Sequence, residues 1–179
     1  MTRAFVAVDI GEHQREELAA YLTTLPQLAP AFRWAPAANL HLTLRFVGSV
    51  EDAILGRLRN ELKAVRVDPF ALGLGGLGTF GGRRPRVVWL SVESGAEALG
   101  GLAEQVEQAC RRAGLEPEER PFRAHLTLAR AASRDGAALP DLPAPPALEP
   151  WPVGKFVLYE SRLGKGPAVY VPLEEFALG

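Results

Sequence analysis

His41-Leu42-Thr43-Leu44 recurs as His125-Leu126-Thr127-Leu128, and the reading of this repeat decides the fold. The chain has only three histidines, and two of them share the same three following residues. Each copy lies in a stretch that predicts a strand, Asn39 to Val47 and Phe122 to Arg130. Side chains alternate between the faces of a strand. His41 and Thr43 therefore point one way, and Leu40, Leu42, Leu44 and Phe46 the other. His125 and Thr127 share a face, with Leu126 and Leu128 opposite, and strict alternation puts Arg130 on the leucine side. Each strand buries a leucine ladder and presents a His/Thr pair. Each copy also follows a strand–helix–strand run. Two similar halves related by a pseudo-two-fold would set the two pairs facing each other across one groove.

The flanking sequence supports two such halves. Arg3 to Ile10 predicts a strand, and Leu18, Leu22 and Leu25 repeat at helical spacing until Pro26 stops the helix. Phe32 to Trp34 is a short strand. Ser49 is the expected cap of a helix carrying Leu55, Leu58, Leu62 and Val65. Pro69 to Leu74 and Arg86 to Val92 predict strands, with a glycine-rich turn between them. Ser94-Gly95-Ala96-Glu97 reads as a capping box for a helix with Leu99, Leu102, Val106 and Cys110 on one face, ended by Gly114. Residues 131–150, with Pro140, Pro143, Pro145, Pro146 and Pro150, read as a long surface loop. Val153 to Leu163 and Ala168 to Phe176 give the last two strands, joined by Gly164-Lys165-Gly166-Pro167. Strand-rich order with short connections favours antiparallel pairing. The expected fold class is α+β, one domain over residues 1–179, with two lobes of antiparallel strands around a central groove and helices outside.

Composition narrows the function classes. The chain has 179 residues, 47% apolar and 23% charged, an ordinary globular profile. A net charge of −1 excludes coating of nucleic acid by bulk electrostatics but leaves room for a local phosphate site. No apolar run reaches the roughly 20 residues of a membrane span, and the N-terminal stretch is too short for a signal peptide. A single cysteine, Cys110, excludes an internal disulfide and a multi-cysteine zinc site and reads as a small buried hydrophobe. A cytoplasmic protein is the expectation. His13 reads as a surface residue of the first helix. Gly73-Leu74-Gly75-Gly76-Leu77-Gly78 fits the pattern of a dinucleotide loop, but such a loop needs a helix opening at its glycines. Thr79-Phe80-Gly81-Gly82 and then Pro85 follow instead, so the stretch reads as a turn. Its Arg83, Arg84 and Arg86 suit phosphates and a solvated basic turn equally well.

The His/Thr repeat points to acid–base chemistry. Imidazole titrates near 6.5, so of two facing rings one can be neutral while the other is protonated. The neutral ring takes a proton from a nucleophile and the protonated ring gives one to a leaving group. Threonine hydroxyls on the same face suit the non-bridging oxygens of a phosphate, whose charge grows in the transition state. A phosphodiester with an alkoxide leaving group fits this set, and no metal is required.

Two His-x-Thr motifs on strands in a chain of this size resemble the 2H phosphoesterase superfamily. Arg33-Trp34 ahead of Asn39-Leu40-His41-Leu42-Thr43-Leu44-Arg45-Phe46-Val47-Gly48 is similar to the first motif of the bacterial and archaeal RNA 2′,3′-cyclic phosphodiesterases, a family also called 2′-5′ RNA ligase-like. Pro85-Arg86-Val87-Val88-Trp89-Leu90, Phe122 to Arg130, Leu158-Tyr159-Glu160-Ser161 and Tyr170-Val171-Pro172-Leu173 resemble its later blocks. Ala124 departs from the proline of many relatives. The resemblance implies opening of a 2′,3′-cyclic phosphate on RNA to a 2′-phosphate, with weak reversible 2′-5′ joining of tRNA halves. It implies His41 as proton donor, His125 as proton acceptor, Thr43 and Thr127 on phosphate oxygens, and Arg130 and Arg45 as substrate-binding residues. Neither metal nor cofactor is expected; a monomer with no membrane and no protein partner acts on RNA ends or nucleotides. Competing readings are a phosphodiesterase of small cyclic nucleotides or an ADP-ribose cyclic phosphate, a non-catalytic RNA-end or nucleotide-binding module, and a metallohydrolase lacking an obvious third ligand.

Overall fold

Both histidine stretches are strands, one in each of two antiparallel sheets. The computed structural model describes residues 1–179. In chain order its elements are β1 (Thr2–Asp9), α1 (Glu12–Leu22), α2 (Leu25–Leu28), β2 (Phe32–Trp34), a 3-10 turn (Ala37–Asn39), β3 (His41–Val50), α3 (Asp52–Leu62), β4 (Phe70–Phe80), β5 (Val87–Ser94), α4 (Ala96–Arg112), β6 (His125–Ala131), β7 (Trp151–Val153), β8 (Lys155–Arg162) and β9 (Val169–Ala177). The first sheet has the order β3-β1-β8-β9 and the second β2-β6-β5-β4-β7. Every pairing is antiparallel, and the class is α+β. β3 and β6 run against each other at the seam between the sheets without forming a ladder.

One buried cluster takes side chains from both sheets and from the helices. Leu42 and Leu44 of β3 and Leu126 and Leu128 of β6 meet Leu58 and Leu62 of α3 and Leu99, Leu102 and Val106 of α4 there. Burying each such leucine contributes roughly 1.5–3 kcal/mol, so the leucine ladders decide which face of each strand turns inward. The His/Thr faces are left for the opposite side. No helix of the chain is long and apolar enough to cross a membrane.

Several local expectations are corrected. Pro26 does not stop a helix; it lies in the first turn of α2, where its missing N–H has no partner to lose. Ser49 is not a cap, because β3 runs on to Val50 and pairs Ser49 with Arg3. The residue before α3 is Glu51. Gly73 to Gly78 is no turn but the middle of β4. Gly78 makes room for Trp89, whose indole lies 2.2 Å from where a Cβ on it would sit, and Gly73 and Gly75 leave space for the Ser94 and Ser91 hydroxyls. The reversal comes later, at Gly81 and Gly82, both with positive φ. Ser94 closes β5 without capping α4; Gly95, at φ 80°, is the cap residue. The second histidine strand begins at His125 rather than Phe122. The strand expected from Val153 starts at Lys155 as β8, beside β1, and Val153 instead ends the short β7, which joins β4 in the other sheet. The proline-rich segment is held down: Gln14 Nε2 donates to Glu149 O at 2.6 Å, and Tyr21 Oη to Pro143 O at 2.7 Å.

Candidate active site

The ladders of β3 and β6 are each interrupted at the same place in the repeat. Thr43 faces Ala7 and Arg45 faces Val6, so Leu44 is an extra residue in β3. Thr127 faces Trp89 and Ala129 faces Val88, so Leu128 is an extra residue in β6. A bulge of this kind reverses the alternation beyond it. Phe46 is thereby set opposite Phe5, and Arg130 opposite Val87, both on the histidine side. The expectation that Phe46 and Arg130 lie on the leucine faces is overturned. Phe46 is 51% exposed.

His41 sits on the groove face of the first sheet. Its Nδ1 lies 2.6 Å from Asn39 O, and its Nε2 lies 3.0 Å from Thr43 Oγ1. A carbonyl oxygen only accepts, so Nδ1 carries the proton and the neutral ring keeps a bare Nε2 beside the threonine hydroxyl. Phe5 and Tyr170 pack on the ring, with centroids at 4.8 and 5.2 Å. Asp9 is the cross-strand partner of His41 and accepts the Tyr159 hydroxyl on Oδ1 at 2.6 Å.

His125 repeats the arrangement in the second sheet. Its Nδ1 lies 2.6 Å from Arg123 O, which again selects a bare Nε2. Phe80 and Trp89 pack beside it, with centroids at 5.1 and 6.3 Å. Thr127 shares its face, opposite Trp89.

Burial pushes both imidazoles below their ordinary value. The carbonyl of Asn39 and the Asp9 carboxylate pull His41 back up; Arg130 and Arg15 lower it further. The carbonyl of Arg123 raises His125, and Arg130 lowers it. One guanidinium thus bears on both imidazoles, whose strands adjoin at the seam between the sheets. No carboxylate acts on His125, so the two rings are chemically unlike.

Arg45 goes elsewhere. Its Nε donates to Glu107 Oε2 of α4 at 2.5 Å, a terminal nitrogen donates to Glu116 O at 2.6 Å, and Glu118 lies 3.8 Å away. The bulge at Leu44 turns it from the histidine face, and it pins β3 to α4. These contacts hold its guanidinium against Glu107, Glu116 and Glu118 and not beside His41, where a substrate-binding role places it. Asp9 and Phe80 were given no site role from the sequence, and Tyr159 and Tyr170 entered only in stretches that resemble the family's later blocks; the visible signal was Asp9, a lone acid closing an apolar strand. Cys110 is buried, and burial pushes its thiol up to about 12. No group of three or more His, Cys, Asp or Glu side chains comes together as a metal site would need.

Two antiparallel lobes, each presenting one His-x-Thr strand to a shared groove, define a 2H phosphoesterase. The sequence profile of the 2′-5′ RNA ligase superfamily matches residues 13–165, and the chain belongs to that family. It is 34% identical over 178 residues to the RNA 2′,3′-cyclic phosphodiesterase of Escherichia coli, covering 98% of this chain and 96% of that one. It is also 34% identical over 170 residues to the RNA 2′,3′-cyclic phosphodiesterase of Geobacillus stearothermophilus, covering 91% of this chain and 53% of that relative. The chain thus spans about half the length of this relative, and 93 of its residues, 51% of this chain, match 53% of the RNA 2′,3′-cyclic phosphodiesterase of Aeropyrum pernix at 40% identity. The crystal structure of E. coli LigT complexed with 3′-AMP superposes with a TM-score of 0.84 at 31% identity, covering 99% and 98% of the two chains.

Proposed function

We propose that this protein hydrolyses 2′,3′-cyclic phosphate ends of RNA to 2′-phosphomonoesters by two-histidine acid–base catalysis, as a single two-lobed domain. The observation that carries the reading is the shared geometry of His41 and His125. Each ring fixes Nδ1 on the carbonyl two residues before it, leaves Nε2 for chemistry, and feels the same Arg130. His125 Nε2 takes a proton from water as the water oxygen attacks phosphorus. The P–O3′ bond breaks, and O3′ leaves with the proton of His41 Nε2. The products are a 2′-phosphate and a free 3′-hydroxyl.

Asp9 supports this direction of proton flow, because its carboxylate favours protonated His41 and has no counterpart at His125. Thr43, Thr127 and Arg130 hold the non-bridging oxygens, where charge builds in the transition state. Phe46, exposed on the groove face, stacks the terminal base. A 5′-hydroxyl of a second RNA in place of water gives a 2′-5′ linkage by the same two proton transfers, which accounts for weak reversible joining of tRNA halves. The groups named need neither metal nor cofactor. The lone buried cysteine accords with a cytoplasmic setting.

The test is a short RNA ending in a 2′,3′-cyclic phosphate, incubated with and without a chelator. Turnover to the 2′-phosphate that survives chelation is expected. Tight binding without turnover would replace the enzyme by a binding module, and loss of turnover on chelation would replace the mechanism.

A further inference from the structure

Arg33 of β2 and Arg130 of β6 are directly opposite each other. Val87, on the far side of Arg130, shares its face with Trp89, so both arginines stand on the groove side. Both are exposed. Arg15, Arg45, Arg59, Arg112, Arg120 and Arg162 each have a glutamate partner. Neither Arg33 nor Arg130 has one, and neither donates a side-chain hydrogen bond. Like charges directly opposite destabilise an antiparallel pair, and an anion held by both forks removes that repulsion. A guanidinium fork matches phosphate oxygens in a bidentate way.

Arg130 stands on the same face of β6 as His125 and Thr127 and so adjoins the reacting phosphorus. Arg33 lies one strand further out, on the edge strand of the second sheet. An RNA that ends in a cyclic phosphate has no nucleotide beyond it. The next anion is therefore the phosphodiester on the 5′ side of the terminal nucleotide. We propose that Arg33 binds this 5′-side phosphodiester, so that a chain end is held by one contact more than a free cyclic mononucleotide. The inference rests on the hydrolysis proposed above.

The test compares adenosine 2′,3′-cyclic phosphate with the dinucleotide adenylyl-adenosine 2′,3′-cyclic phosphate, which adds that phosphodiester. Wild-type protein should favour the dinucleotide in kcat/KM. Arg33→Gln should lose about tenfold on the dinucleotide, mainly through KM, as expected for one charge-assisted contact. The mononucleotide, with nothing for Arg33 to hold, should change by less than about twofold on the same footing. Arg33→Lys should recover part of the loss. The slope of log kcat/KM against log salt for the dinucleotide should become shallower by about 0.7 in Arg33→Gln. The thermal midpoint of this variant should not fall, since a like-charge contact is removed. Equal losses on both substrates, or none on the dinucleotide, would overturn the inference while leaving the hydrolysis standing. Wild-type protein that turns over neither substrate would overturn the hydrolysis and this inference with it.

Discussion

Phe46 and Arg130 occupy the same position in the internal repeat, each turned to the histidine face by a bulge at the leucine two residues before it. The repeat therefore extends beyond His-x-Thr into backbone irregularity. The two lobes use it differently, one presenting an aromatic ring and the other a cation. In the proposed mechanism the ring takes the base and the cation takes the phosphate.

Phe46→Ala should raise KM for an RNA cyclic phosphate and leave kcat within about threefold. A base–aromatic stack contributes roughly 1–3 kcal/mol, so the rise should be about fivefold or more. Phe46→Tyr should retain most of the affinity. Steady-state kinetics on the three proteins checks this, and an unchanged KM in the alanine variant removes Phe46 from the site.

Arg45→Ala should cost stability rather than catalysis. Its side chain is 12% exposed and ties β3 to Glu107 of α4. Loss of a charge-assisted hydrogen bond of this kind costs about 2 kcal/mol. Urea unfolding should show the loss, while kcat/KM stays within about threefold under folding conditions. A selective fall in kcat/KM with unchanged stability would return Arg45 to the substrate.

Asp9→Asn should lower the pKa of His41 further. Burial already holds it below the ordinary value, and Asp9 is one of two influences opposing that. The other is the Asn39 carbonyl; Arg130 and Arg15 act in the lowering direction, and Tyr170 contributes an uncharged ring edge. Less His41 is then protonated at neutral pH, so the limb of the pH–rate profile that needs the acid moves to lower pH. NMR titration of the ring protons reads the shift directly. His125 should keep its value, as Asp9 does not act on it. A His41 titration unmoved by the substitution contradicts the role given to Asp9.

Much of this was legible in the residues. The repeated tetrapeptide placed both histidines on strands, and period-two alternation gave His41, Thr43, His125 and Thr127 their common face. The same rule failed at Phe46 and Arg130, because a bulge adds a residue that no local pattern of side chains announces. Gly73 to Gly78 misread as a turn for a related reason. Gly78 serves the indole of Trp89, and Gly73 and Gly75 the hydroxyls of Ser94 and Ser91, on the neighbouring strand, a tertiary demand that outweighs the local preference of glycine for turns. Asp9 and Tyr159 were out of reach because their contact joins residues at opposite ends of the chain.

The pH dependence of kcat/KM on an RNA cyclic phosphate, in chelator, for wild type, His41→Ala and His125→Ala tests the two-imidazole mechanism most directly. A bell-shaped wild-type profile is predicted, with 2′-phosphate as product. Each single variant should lose at least about a hundredfold while remaining folded. The double variant should lose little more than either single one, since the two groups act as a unit. Wild-type turnover in either single variant would contradict the mechanism.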